Sequence, residues 1–100
     1  MPAVTRKGDS CTGHSCFPPR NSTSGSPNVF VNGKPAHRQG DSWETHCCTH
    51  TDCPHGCHSG SLASGSASVY VNGKKLGRIV DSVDCGSAVA SGSSNVFAGG

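Results

Sequence analysis

Short runs of alternating β-branched and aromatic residues recur along the chain, each framed by Ser and Gly. Ser24-Gly25-Ser26-Pro27-Asn28-Val29-Phe30-Val31-Asn32-Gly33-Lys34 returns as Ser64-Gly65-Ser66-Ala67-Ser68-Val69-Tyr70-Val71-Asn72-Gly73-Lys74. A third copy runs Ser91-Gly92-Ser93-Ser94-Asn95-Val96-Phe97-Ala98-Gly99-Gly100. Period-two alternation of this composition predicts a strand. The Asn-Gly after two of the copies predicts a tight hairpin turn with positive φ at both central positions, a backbone that Gly-Gly also tolerates.

A second element follows each turn and ends in Arg-x-x-Asp: Arg38-Gln39-Gly40-Asp41 and Arg78-Ile79-Val80-Asp81. The third copy stops before it, and the missing piece stands at the other end as Pro2-Ala3-Val4 followed by Arg6-Lys7-Gly8-Asp9. The N-terminal segment thus completes the unit that the C-terminal segment leaves open. Such self-similarity predicts a closed ring of three units, with first and last strands paired and few exposed strand edges. No segment keeps a helical period, so the expected class is all-β, a pseudo-threefold arrangement of β-hairpins.

Composition changes the picture in one respect. One hundred residues make one small domain, 1–100, yet Leu, Ile, Val and Phe supply only 15 of them, while Gly alone supplies 14. Apolar burial by itself is a weak source of stability for such a chain, and small scaffolds in that position carry metals or disulfides. Seven Cys and six His are therefore the residues to explain. Met1-Pro2-Ala3-Val4 starts no signal peptide and no apolar run approaches a membrane span, so synthesis in the reducing cytoplasm is expected. An odd cysteine count also forbids complete pairing within the chain, and metal ligation is favoured over a disulfide framework. A net charge of +2, with no basic run, argues against nucleic acid as a partner.

The repeat sorts the candidate ligands. His14 lies five positions after Asp9, His46 five after Asp41 and Cys85 four after Asp81. Counted backwards, His58 and Cys85 each lie seven positions before the Gly of the next Ser-Gly-Ser, whereas His14 lies eleven before Gly25, a first loop longer by four. Three loops of a pseudo-threefold unit would bring His14, His46 or His58, and Cys85 towards one axis. The set His14, His46, His58 and Cys85 suits tetrahedral Zn²⁺, and four protein ligands make a closed, structural site with no open position for an activated water. The only Glu, Glu44, is not well placed as a general base, so no enzymatic activity is expected.

The middle loop leaves alternatives open. Cys47, His50, Cys53 or His55 could replace one of these ligands, a second metal could bind there, and a Cys53–Cys57 or Cys11–Cys16 disulfide could form. A zinc-binding or thiol redox module built on Cys47, Cys48, Cys53 and Cys57 is the competing function. His37 is expected to be a solvated surface residue whose replacement by Ala is nearly silent.

The units Val31–Asp41 and Val71–Asp81 resemble the PAAR repeat, named for Pro-Ala-Ala-Arg. Pro35-Ala36-His37-Arg38 departs from it at one position, and Lys75-Leu76-Gly77-Arg78 keeps only the Arg. Cys85-Gly86 followed by Ser91–Phe97 is similar to the usual ending of that family, and the resemblance covers essentially the whole chain. It implies a small cone stapled near its apex by zinc on three His and one Cys. It implies a partner, the blunt end of a trimeric β-helical spike of valine-glycine-repeat or phage-tail type, with one monomer seated on one trimer. The implied role is mechanical: a stand-alone tip that sharpens the spike of a type VI secretion system or contractile phage tail as it pierces a membrane. Its implied location is the virion tail or secretion spike, delivered outside or into the target cell.

Overall fold

The computed structural model describes residues 1–13, 17–47, 57–84 and 86–100. Among the described residues six strands follow one another as β1 (Phe30–Val31), β2 (Lys34–Pro35), β3 (Ser42–Cys47), β4 (Cys57–Ser61), β5 (Tyr70–Val71) and β6 (Lys74–Lys75). They pair antiparallel as β1–β2, β3–β4 and β5–β6, and the described residues contain no helix. Both Asn-Gly turns have the left-handed backbone expected of them, with φ of 56° and 78° at Asn32 and Gly33 and 55° and 78° at Asn72 and Gly73.

The third hairpin is made by the two ends of the chain. Ala3 pairs antiparallel with Phe97, and Val4 N–H donates to Val96 O at 2.9 Å. The matching bonds in the other units run from Ala36 to Val29 and from Leu76 to Val69, both at 3.0 Å. In each unit one Ser hydroxyl accepts from two backbone N–H groups of the strand that follows, Ser26 from Asn28 and Val29, Ser66 from Ser68 and Val69, Ser93 from Asn95 and Val96. Ser at this position therefore answers backbone donors that a short strand would leave unpaired.

The units meet in a cycle of three backbone bonds. Thr5 N–H donates to Gly77 O at 3.0 Å, Gly77 N–H to His37 O at 2.9 Å and His37 N–H to Thr5 O at 3.2 Å. These residues hold the same position in the three units, so the pseudo-threefold axis passes between them. Glycine is required in one of them: a Cβ on Gly77 would lie 2.6 Å from Leu62 Cδ2 and 2.9 Å from Thr5 Cγ2.

Beside this cycle each Arg-x-x-Asp closes a tight turn. The Asp accepts from the guanidinium of its own Arg, with Nε–Oδ2 distances of 2.7 Å (Arg6–Asp9), 2.8 Å (Arg38–Asp41) and 3.1 Å (Arg78–Asp81). It also accepts from that Arg's backbone N–H, at 2.8 Å in all three. The remaining guanidinium nitrogen, Nη1, reaches the next unit, from Arg6 to Asn32 Oδ1, from Arg38 to Asn72 Oδ1 and from Arg78 to Gly99 O. Each ion pair is thus both a turn staple and an inter-unit tie.

The third residue of these turns needs positive φ, and Gly8 (94°) and Gly40 (91°) supply it. Val80 holds the same place at φ 71° while 73% exposed. A β-branched residue is strained there, and nothing around an exposed side chain compensates. Val80→Gly is expected to stabilise the fold by about 1 kcal/mol, read as a higher melting temperature; an unchanged or lower value would contradict the strain.

Two small apolar clusters flank the cycle. Val4, Ala36 and Leu76, at matched positions, pack with Val71, Ala98 and the half-buried Val31 on the hairpin side. Cys11, Trp43 and Val83, also matched, pack with Leu62, Val89 and Ile79 on the other side. Divided cores of this size confirm how little apolar burial the chain commands, and polar ties carry a larger share of the order.

Candidate metal centre and docking face

β3 and β4 pair from Ser42 opposite Ser61 outward, with a register shift between Trp43 and His46. After the shift His46 stands opposite His58 and Cys47 opposite Cys57. The two imidazoles point at one another, Nε2 to Nε2, at 2.7 Å. Two lone pairs cannot share that gap, so in this arrangement one ring donates a proton to the other. His46 Nδ1 is 2.8 Å from Pro18 O, which accepts its proton and leaves the Nε2 lone pair facing His58. A neutral imidazole held in this tautomer is the form that ligates Zn²⁺. Of the four expected ligands, the fold brings His46 and His58 together. His14 and Cys85 lie outside the described residues, as do His50, Cys53 and His55. Among the described residues no group of three or more His, Cys, Asp or Glu converges.

Cys47 and Cys57 are joined by a disulfide next to the imidazole pair. The open Cys53–Cys57 pairing is thereby replaced, and Cys47 is not a ligand. Cys11, matched to Trp43 and Val83 in the core, is a buried free thiol, so Cys11–Cys16 is not formed either. The cause is register: directly opposed strand positions bring two Cβ atoms within bridging reach, whereas Cys11 points into the apolar cluster. Glu44 Oε1 accepts from the Asn21 N–H at 2.9 Å on the exposed side of β3.

Residues not singled out in the sequence complete the surroundings. Phe17, 5% exposed, lies against both rings, with centroids 4.9 Å from His46 and 4.2 Å from His58. Arg20 is buried and its Nη1 donates to Glu44 O on β3 at 2.8 Å and to His58 O on β4 at 3.4 Å. Gly60 leaves room for it, since a Cβ there would lie 2.7 Å from Arg20 Nη2.

His37 is not a surface residue. It is fully buried, its Nδ1 donates to Ser24 O at 2.8 Å, and its ring meets Trp43 edge-on at 5.2 Å. Its place in the repeat is the axial one shared with Thr5 and Gly77, and the space a side chain would take at Gly77 is closed. The expected silence of His37→Ala is replaced by a loss of about 2 kcal/mol or more, from the cavity and from the carbonyl left unpaired.

With Nδ1 donating, Nε2 of His37 is buried with no protein partner among the described residues. Burial pushes the His37 pKa below the ordinary value, partly opposed by the Ser24 bond and by Asp41 and Asp9, with Arg38 adding to the depression. The unfolded chain then takes up a proton more readily than the folded one. Stability contributed by neutral His37 is full above about pH 6.5 and is lost as pH falls from there towards the lower folded value. ¹H–¹⁵N spectra followed as pH falls are expected to show His37 taking up its second proton at lower pH than a free imidazole, with the neutral ring's proton on Nδ1; titration at or above the ordinary value would contradict this.

At the hairpin end the three units repeat one surface. Phe30, Tyr70 and Phe97, at matched positions, are 56%, 54% and 52% exposed, and the preceding Val29, Val69 and Val96 are 38%, 37% and 37% exposed. Large apolar side chains exposed to the same degree three times over mark an interaction face.

The fold is thus a ring of three β-hairpin units, closed by pairing of its first and last segments and bearing one repeated apolar face. The family model of the PAAR motif matches residues 12–91, and the chain belongs to that family. The family is one of structural spike tips in contractile delivery machines, which associates this chain with a spike protein and with such a machine's tip. No individual curated protein matches the chain.

Proposed function

We propose that this protein is a non-enzymatic tip that seats on the end of a trimeric β-helical spike, sharpening it for passage through a membrane. The observation that carries the reading is the threefold repetition of Val29-Phe30, Val69-Tyr70 and Val96-Phe97 at equal exposure. One chain with three similar faces complements a true threefold partner, each face meeting one subunit. Strand addition at the short hairpins would extend the partner's strands.

A single Zn²⁺ on His14, His46, His58 and Cys85 staples the far end. The support is the chemistry of the described half-site: two converging Nε2 atoms, one with its tautomer fixed by Pro18 O. When bound, the ion supplies crosslinking energy and no open coordination position. The ion would add a crosslink beside the Cys47–Cys57 disulfide, past Trp43, the last residue of β3 in the apolar clusters. Elemental analysis of the purified chain together with titration against a soluble trimeric β-helical spike fragment tests both parts. One zinc per chain and a tight complex are expected. A metal-free folded protein would remove the staple, and absence of binding would remove the role.

A further inference from the structure

Counted from the last ligand position to the Gly of the next Ser-Gly-Ser, the first loop is four residues longer than the other two, although the middle loop is the longest overall. Phe17-Pro18-Pro19-Arg20 lies in that loop and has an equal number of residues. We infer that it is a positioning strap that fixes the imidazole pair and slows exchange of the cation between the two Nε2 atoms. The inference rests on the metal reading above and concerns residues that neither the motif nor the repeat assigns.

Three of the four strap residues touch the pair or its strands, each differently. Phe17 lays one ring across both imidazoles, tilted 35° to His46 and 49° to His58. Pro18 accepts the His46 Nδ1 proton. Arg20 ties the carbonyls of Glu44 and His58, one on each strand, two residues before His46 and at His58 itself. The strap is pressed onto the chain just before His14. A Cβ on Gly13 would lie 2.6 Å from Phe17 O and 2.8 Å from Pro19 N, and Gly13 has φ 70°. Consecutive prolines reduce what the strap loses in conformational freedom on ordering.

The consequences follow from these contacts. An Nδ1–H bonded to a carbonyl makes the opposite nitrogen a better and better-aimed donor, and loss of such an outer contact typically costs 10–100-fold in metal affinity. Exchange requires water or a competing ligand to reach the metal beside the imidazoles, and the Phe17 ring covers that approach. The strap therefore acts on exchange rate rather than on the number of ions held.

Zinc transfer from the native protein to a chromophoric chelator tests this, compared among wild type, Phe17→Ala, Phe17→Leu and Val89→Ala. Phe17→Ala is expected to release zinc about 10-fold faster or more, at unchanged stoichiometry. Phe17→Leu, which keeps an apolar cover, should stay near wild type. Val89→Ala controls for general loosening, since it weakens the apolar cluster around Trp43, and should leave the rate unchanged. Equal rates for Phe17→Ala and wild type, or an equal acceleration by Val89→Ala, would overturn the strap. Hydrogen exchange at His46 Nδ1 separates the two readings. A wild-type chain with no zinc but a protected Nδ1–H would sink the metal centre and keep the strap as a clamp on the pair. A zinc-loaded chain whose Nδ1–H exchanges at the solvent rate would do the reverse.

Discussion

Asp41→Ala is expected to lower stability by about 3–5 kcal/mol, which at 4–8 °C per kcal/mol for a chain of this size is roughly 12 °C or more. The side chains of Arg38 and Asp41 are 9% and 6% exposed, so the pair is buried in a ring with little apolar surface to spare. Asp41 accepts from Arg38 N–H, Nε and Nη2 and from Ser24 Oγ. Truncation leaves the guanidinium bonded to Asn72 Oδ1 and Gly25 O but without a counter-charge. That uncompensated charge, more than the lost bonds, sets the size of the effect. It also slackens the tie from the first Asn-Gly unit to the second, because the same guanidinium spans both.

The acid limb has the same origin. Burial pushes the Asp9 and Asp41 carboxyls up, but donors from Arg6 and Arg38 outweigh it and hold both below the usual carboxylate range. Their contribution is present above about pH 4 and is lost as pH falls through the depressed folded values. Thermal unfolding of Asp41→Ala at pH 7 checks the magnitude. A loss under about 1 kcal/mol, as for a surface pair, would contradict the buried-tie account.

Substituting the three exposed aromatics should separate docking from folding. Phe30→Ser, Tyr70→Ser and Phe97→Ser each remove a ring that is more than half solvated, so each should leave the melting temperature nearly unchanged. Against a trimeric spike, each is expected to weaken binding by about 2 kcal/mol, roughly 30-fold, as buried aromatic anchors do. Equivalence is the sharper part of the expectation. If each face meets one spike subunit in the same way, the three variants should lose affinity by similar factors, and the triple variant should not bind measurably. A large loss at one position and none at the others would mean a one-sided contact in place of a cap.

The repeat made much of the ring legible. Asn-Gly specified the turns, and an Arg-x-x-Asp at the N-terminal end, missing after the third copy, announced that the first and last strands would pair, as Ala3 does with Phe97. What repetition conveys is which residues are equivalent, and its use stopped where equivalence did. His37 was misjudged on its residue type, although its alignment with Thr5 and Gly77 already placed it at the axis. Gly77 was the available signal, because a glycine facing a histidine and a threonine in a symmetric slot marks crowding. Cys47–Cys57 was not legible, since its pairing depends on a register shift in β3 that no periodicity encodes. Phe17 and Arg20 lie in the length difference between loops, and an insertion has no partner in the other units to reveal its purpose. Val80 departs from two glycines at its matched position, a visible exception whose strain only the backbone angle exposes.

The central claim is that one chain with three similar faces caps one threefold spike, and the composition of the complex tests it most directly. Native mass spectrometry of the protein mixed with a trimeric β-helical spike is expected to give a single species. Its mass should equal three spike subunits, one copy of this 10.1 kDa chain and one zinc ion, even with the chain in excess. Three chains per trimer, or no complex at all, would contradict it.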